Sequence, residues 1–193
     1  MRTGLILRYL GSLGVGARPR ESARYVVEAD RLGFSVAWTA EVLSLDTVSL
    51  LGWLAAQTSR IDLGSAVMQI SARTPAMTAA RLDLLSEGRF CRELGVSGPQ
   101  GAEGWHGSRF EQPLARTREY VDVVRMALQR KSVAYDKGHY RLPLPDGPGK
   151  ALQLGMPPRR KDIPLYLAAV GPANLRLAGE IADGWLSVFF QPE

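Results

Sequence analysis

Cysteine, histidine and lysine are scarce in this 193-residue chain, which carries one, two and four of them. A single cysteine, Cys91, excludes an internal disulfide framework and fits a reducing, cytoplasmic setting, where it reads as a small buried hydrophobe. His106 and His139 are remote from each other and lack acidic or thiol companions at ligand spacing, so no metal centre is expected. Apolar runs are equally short. None reaches the roughly 18 residues of a membrane span, and Arg8 splits the apolar stretch near the N-terminus with no small-residue cleavage site after it, so no signal peptide is expected. Familiar nucleotide and nucleophile motifs are missing too. Gly149-Lys150 is followed by Ala151 rather than the Ser or Thr of a P-loop. Gly11, Gly14 and Gly16 lack the spacing of a dinucleotide fingerprint, and no G-x-S-x-G elbow occurs.

Arginine is what the chain has in place of lysine: twenty residues, within a net charge of +5. The arginines stand singly on expected helices (Arg24, Arg31, Arg60, Arg81, Arg116, Arg118, Arg125), with no zinc-finger, helix-turn-helix or aromatic RNA-binding pattern among them. A nucleic-acid partner is therefore not expected. A small phosphorylated or carboxylated ligand is compatible with the charge.

The hydrophobic pattern alternates short apolar runs with helical stripes at about 30-residue spacing, the signature of an α/β fold with a parallel sheet. Strands are expected over 3–9, 35–41, 61–70, 89–96, 163–170 and 183–190, and helices over 21–33, 46–59, 74–88, 113–130 and 171–182. Asp46 is placed to cap the second helix, Pro75 to open the third, and Gly33 and Gly88 to end helices. Two short β-like pieces, 132–136 and 139–143, flank Lys137-Gly138. The whole chain, 1–193, reads as one domain with an insertion at about 99–112 and a Pro/Gly-rich loop at about 143–162. A doubly wound sheet and a (β/α)8 barrel both accommodate this string. In the barrel, ligand groups sit at the C-terminal ends of the strands, and polar or glycine residues gather there. Glu41 follows the second strand, where it either faces water or points into the mouth. Met68, Gln69, Ser71 and Arg73 end the third, and Ser97 and Gly98 end the fourth. Gly171 opens directly into a helix, either as a tight turn or as an anion site on exposed N–H groups. So few acids and bases suggest that a bound cofactor carries the chemistry.

The segments ADRLGFSVAWTAE, LGWLAAQTSRIDLGSAVMQISARTPAMTA, LGVSGPQ, EGWHG and GPANLRLAGEIADGW together resemble the luciferase-like monooxygenase family, and within it the branch that uses the deazaflavin coenzyme F420. The resemblance implies a TIM-type (β/α)8 barrel, here incomplete with about six strand-helix units, holding the cofactor ring in its mouth. It implies hydride transfer between reduced coenzyme F420 and a small organic substrate. The alternatives are an FMNH2-dependent monooxygenase and a truncated, non-catalytic paralogue or fragment. By position, Ala66 and Val67 would carry a non-proline cis peptide behind the ring. Val96, Ser97 and Gly98 would lie along the cofactor, and Gly171, Pro172 and Ala173 would form its phosphate-side turn. Glu41 matches a position where relatives place a histidine or acid near the ring, and Glu103 and His106 are substrate-side catalytic candidates. Relatives often associate through barrel helices, which implies a homo-oligomer. Arg92 and Glu93 depart from the family, which has small apolar residues there. Two charges in a barrel strand are costly unless paired or solvent-facing.

Overall fold

The computed structural model describes residues 3–7, 19–41, 43, 45–78 and 81–187. Four strands come first: β1 (Gly4–Leu7), β2 (Val36–Thr39), β3 (Asp62–Gln69) and β4 (Phe90–Gly95). A two-stranded antiparallel hairpin follows, β5 (Tyr135–Asp136) with β6 (Arg141–Leu142), and then β7 (Leu165–Ala168) and β8 (Gly184–Leu186). The helices are α1 (Pro19–Leu32), α2 (Thr47–Ala55), α3 (Pro75–Thr78), α4 (Arg81–Leu85), α5 (Pro99–Ala102), α6 (Pro113–Leu128) and α7 (Pro172–Ile181).

The main sheet has the order β1-β2-β3-β4-β7-β8, and every pair in it is parallel. Each new strand joins beside the last, with no reversal. A doubly wound sheet reverses its strand order at a switch point, whereas a barrel does not, so the order selects the barrel of the two architectures left open by the sequence.

Local chemistry explains where the elements begin and end. Asp46 accepts the Ser49 amide at 2.8 Å and so caps α2. Gly33 and Gly88 both take positive φ, +80 and +87, at the ends of helical segments. The helix expected over 74–88 occurs as α3 and α4, with residues 79 and 80 outside the described residues. Residues 8 and 9 of the expected first strand and 188–190 of the last also lie outside them. No described helix is long and apolar enough to cross a membrane.

Alternation along the strands divides the sheet into two faces. Leu63, Phe90, Leu94, Leu165 and Leu167 join α-helical Leu54, Tyr120, Val124 and Ala178 in the main core. Full burial of each aliphatic side chain contributes roughly 1.5–3 kcal/mol. The inner face is built differently. Trp38 lies over Gly64, where a Cβ would come within 2.1 Å of its ring, and meets the Tyr166 ring edge-on at 5.5 Å. Cys91 and Glu93 share this face and are buried, as expected for the thiol.

Arg92 and Glu93 point to opposite faces, and neither is solvent-facing. Arg92 is fully buried on the helix side, with its guanidinium 5.7 Å from the centroid of the Phe90 ring; burial draws it down to about 10. Glu93 carries no ion pair or hydrogen bond on its carboxyl among the described residues, and burial alone pushes it up to about 8. The cost expected of an acid that is neither paired nor solvent-facing is met here by holding its proton.

The two irregular segments occupy opposite ends of the sheet. The 143–162 loop is tied to the N-terminal end by Arg160, whose amide and Nε each donate to fully buried Asp83 at 2.8 Å. Its Nη2 reaches the carbonyl of Phe90, the first residue of β4. The 99–112 segment starts just beyond the C-terminal end of β4, with α5 as its only helix.

Candidate functional site

The third strand runs through Ala66 and Val67 into a polar turn. The Ala66–Val67 peptide is cis, at the position the family resemblance implies. Beside it, a Cβ on Gly95 would fall 2.6 Å from Val67 Cγ2, so only glycine lets β4 approach β3 this closely. From the last residue of the strand onward, residues 69, 71 and 73 alternate as Gln, Ser and Arg.

Glu41 organises this turn. It is 5% exposed, and its Oε2 accepts the Gln69 amide at 2.7 Å. Its Oε1 accepts from Arg73 Nη2, which also donates to Asp46 Oδ1 at 2.7 Å. Burial raises the Glu41 carboxyl above its ordinary value, an effect that Gln69 and Arg73 offset only in part. Burial acts in the same direction on Asp46, yet its bonds from Ser49 and Arg73 outweigh it and hold that carboxyl at about 2. With a donor on each oxygen, Glu41 is an acceptor in this geometry, and its charge is shared with the guanidinium.

The side-chain amide of Gln69 donates from Nε2 to the Glu41 carbonyl at 3.2 Å, which turns Oε1 the other way. That oxygen lies 3.5 Å from where a Gly101 Cβ would be, and the same Cβ would meet Ser97 Oγ at 2.4 Å. Ser97 itself takes a left-handed φ of +61. The β3 and β4 loops are thus pressed together through Gly101. His106 is joined to them because its amide donates to the Gly101 carbonyl at 3.1 Å.

Four buried polar atoms of this region have no hydrogen-bond partner among the described residues: Gln69 Oε1, Ser71 Oγ, Arg73 Nε and His106 Nε2. Buried polar groups are ordinarily satisfied, and leaving one unpaired costs about 1–3 kcal/mol. One acceptor, one obligate donor and two groups able to do either lie on the loops that follow β3 and β4 and at the end of β3, a candidate cradle for a polar ligand.

The sequence-derived candidates distribute as follows. Glu41 and His106 both reach this region, with Gln69 bridging from the first toward Gly101. Glu103 is exposed and accepts the Phe110 amide at 3.0 Å, holding its own segment together. Val96, Ser97 and Gly98 follow directly after β4, and Ser97 borders the same Gly101 position as Gln69 Oε1. Gly171, Pro172 and Ala173 are exposed at the start of α7, where Gly171 has φ +89 and no side chain caps the helix. Gln69, Ser71 and Arg73 were visible in the sequence only as polar strand ends. Their alternate spacing directly after an apolar strand is the signal that groups them.

Beyond the site, two aromatic residues brace the loops. Tyr120 donates to the Arg73 carbonyl at 3.3 Å and bonds Thr78, and its ring meets Tyr140 edge-on at 5.8 Å. Arg116 holds the 99–112 segment through Ser108 Oγ at 2.6 Å and the Arg109 carbonyl at 2.7 Å.

A barrel-type parallel sheet with polar residues gathered at its C-terminal strand ends defines the class of TIM-type α/β proteins. Within that class the chain belongs to the luciferase-like monooxygenase family, whose model matches residues 1–193. It is 48% identical over its whole length to a Mycobacterium tuberculosis protein that carries the name of a coenzyme F420-dependent oxidoreductase, of which it covers 56%. It is 34% identical, over 85% of its length, to a 5,10-methylenetetrahydromethanopterin reductase of Methanolobus tindarius, of which it covers 48%. Among solved structures, the coenzyme F420-dependent tetrahydromethanopterin reductase of Methanopyrus kandleri superposes with a TM-score of 0.78 at 27% identity, covering 96% of this chain and 55% of that one. The chain spans about half the length of the relatives it matches, and its fold is an incomplete TIM-type barrel.

Proposed function

We propose that this chain forms the cofactor-binding part of a coenzyme F420-dependent oxidoreductase acting on a small organic substrate. The observation that carries the reading is the set of four unpartnered buried polar atoms at the end of β3 and on the loops after β3 and β4. The name of the 48%-identical relative supports the choice of F420 over FMN.

When bound in its reduced form, F420 supplies a hydride. The remaining work falls to the chain. Ala66, Val67, Val96, Ser97 and Gly98 would hold the ring, where backbone and small side chains permit close approach. Gly171, Pro172 and Ala173 would take the phosphate side, since the uncapped N–H groups of α7 and the helix dipole favour an anion. Gln69 Oε1 would accept a hydrogen bond from the bound ligand, and Arg73 Nε would donate one. His106, whose buried Nε2 has no partner among the described residues, would exchange a proton with the substrate oxygen. Glu41 acts by positioning, because both its oxygens are engaged in holding Gln69 and Arg73. Glu103 keeps the His106 segment folded.

The test is a fluorescence titration of F420 with the purified chain, with FMN as competitor. Saturable F420 binding that FMN does not displace is the expected outcome. Preference for FMN would move the assignment to the monooxygenase branch, and a folded chain that binds neither would be non-catalytic.

A further inference from the structure

The excess of basic charge is confined to one stretch of the chain. Residues 130–162 hold eight arginines and lysines, including every lysine of the protein, against three aspartates. That difference equals the whole net charge of +5, so the remaining residues are balanced. The same stretch turns large apolar side chains to solvent: Leu144, Leu152 and Met156 are 67%, 75% and 64% exposed.

The fold gathers most of these groups at the N-terminal end of the sheet. Arg160 is anchored there on Asp83 and the Phe90 carbonyl, and the Arg159 stem lies 3.6 Å from where a Gly88 Cβ would be. Lys161 lines one cleft with Arg125 and Gln129 at the end of α6, and the same two residues line a second with Lys131 and Lys137. Leu152 is tied beside them, since its carbonyl accepts the Val133 amide at 2.8 Å. Lys150 and Met156 lie on short spans either side of it. Helix C-termini and buried acids attract cations, and two of the arginines here answer that need. Arg125 donates to the Ile181 carbonyl at 2.7 Å, and Arg160 pairs with Asp83. Arg130, Lys131, Lys150, Arg159 and Lys161 do not: they are exposed, and their side chains form no ion pair or hydrogen bond among the described residues.

Unpaired surface cations with large aliphatic side chains between them complement an anionic bilayer. Basic groups are drawn to its negative surface potential, lysine stems lie along apolar surface, and aliphatic tips gain by entering the acyl boundary. A nucleic acid would use the same charge but stack its bases on aromatic rings, and the exposed apolar groups here are aliphatic. We propose that the N-terminal end of the sheet docks on an anionic lipid surface, with Lys131, Lys150, Arg159 and Lys161 on the headgroups and Leu152 and Met156 in the interfacial layer. The chain lies on the membrane and does not cross it. The C-terminal strand ends then face away from the lipid, so docking is independent of ligand binding there and of the F420 reading.

Co-sedimentation with vesicles of phosphatidylglycerol and phosphatidylcholine in equal parts tests this, against vesicles of phosphatidylcholine alone. The chain is expected to bind the anionic vesicles at least about tenfold more tightly. Salt at about 1 M, where the Debye length shrinks to about 3 Å, should remove that preference. Lys150→Glu with Lys161→Glu should weaken binding at least about tenfold, and Leu152→Ser with Met156→Ser about tenfold. All four positions are exposed, so thermal melts of both double variants should match the parent. Equal binding to neutral vesicles, no binding to either kind, or binding indifferent to both double variants would each overturn the proposal. So would RNA or polyglutamate binding more tightly than the anionic vesicles, which would assign the face to an acidic macromolecule. A loss of F420 binding on adding vesicles would put the C-terminal strand ends against the lipid and overturn the docking orientation.

Discussion

Glu93 and Gly64 show how much depends on which face of a strand a residue occupies. Because Glu93 keeps its proton to about pH 8, while an exposed carboxyl releases it near 4.5, the folded chain binds one more proton than the unfolded chain across that window. Stability therefore falls as pH rises from about 4.5 to 8 and levels off above. Glu93→Gln should remove this slope and stabilise the protein by roughly 3–5 kcal/mol at pH 8.5, as read from urea unfolding at several pH values. An unchanged slope would mean that Glu93 ionises freely in the fold. Gly64→Ala has the opposite sign. Its new Cβ would lie 2.1 Å from the Trp38 ring, so Trp38 must leave its contact with Tyr166. A loss of about 1–3 kcal/mol is expected, with a shift in tryptophan fluorescence. From the sequence, Arg92 and Glu93 were recognisable as costly, because adjacent charges in a strand always include one on each face. Which of them would be neutralised was not legible: that depends on Phe90, Tyr166 and the burial each face receives.

At the scale of elements, local signals read directly from the sequence and long-range ties do not. The N-cap at Asp46 was legible because a cap and the amide it accepts are three residues apart. Asp46→Ala should cost about 1 kcal/mol through loss of the cap. It should also release Arg73, which a circular dichroism melt and a weaker F420 titration would together report. By contrast, the bond between Arg160 and Asp83 spans 77 residues, and nothing in the Pro/Gly-rich run 143–162 announces it. Arg160→Met would leave the fully buried Asp83 carboxylate with the residue-160 backbone amide but no countercharge, and removing one partner of a buried ion pair costs about 3–5 kcal/mol. Proteolysis within 143–162 should accelerate sharply in this variant. If cleavage there were no faster, the loop would be held by its other contacts, such as the Val133 amide on the Leu152 carbonyl.

For the whole molecule, the relevant quantity is the coupling between ligand and fold. Four unpaired polar atoms weaken the free chain, and a ligand that satisfies them binds only the folded state. F420 at one hundred times its Kd should add about 2.7 kcal/mol to stability. A thermal scan at graded F420 concentrations would show a rising midpoint, and a flat response would argue against binding to the native fold. The barrel reading also belongs at this scale. Alternating strands and helices fit two architectures, and only the strand order β1-β2-β3-β4-β7-β8, without reversal, separates them.

The sequence alone determined the local grammar: which runs form strands, where Asp46, Pro75, Gly33 and Gly88 bound helices, and where glycine-rich loops fall at strand ends. Those features follow from interactions within a few residues, so periodicity and capping chemistry reveal them. Its motifs also carried the family, because LGVSGPQ, EGWHG and GPANLRLAGEIADGW are contiguous. Only the tertiary structure decided that Glu41 holds Gln69 and Arg73, that Glu103 serves its own loop, and that Gln69, Ser71, Arg73 and His106 each keep a buried polar atom without a partner among the described residues. The physical reason is that burial and hydrogen-bond satisfaction are properties of neighbours in space, and Glu41 stands 28 and 32 residues from the Gln69 and Arg73 that it holds.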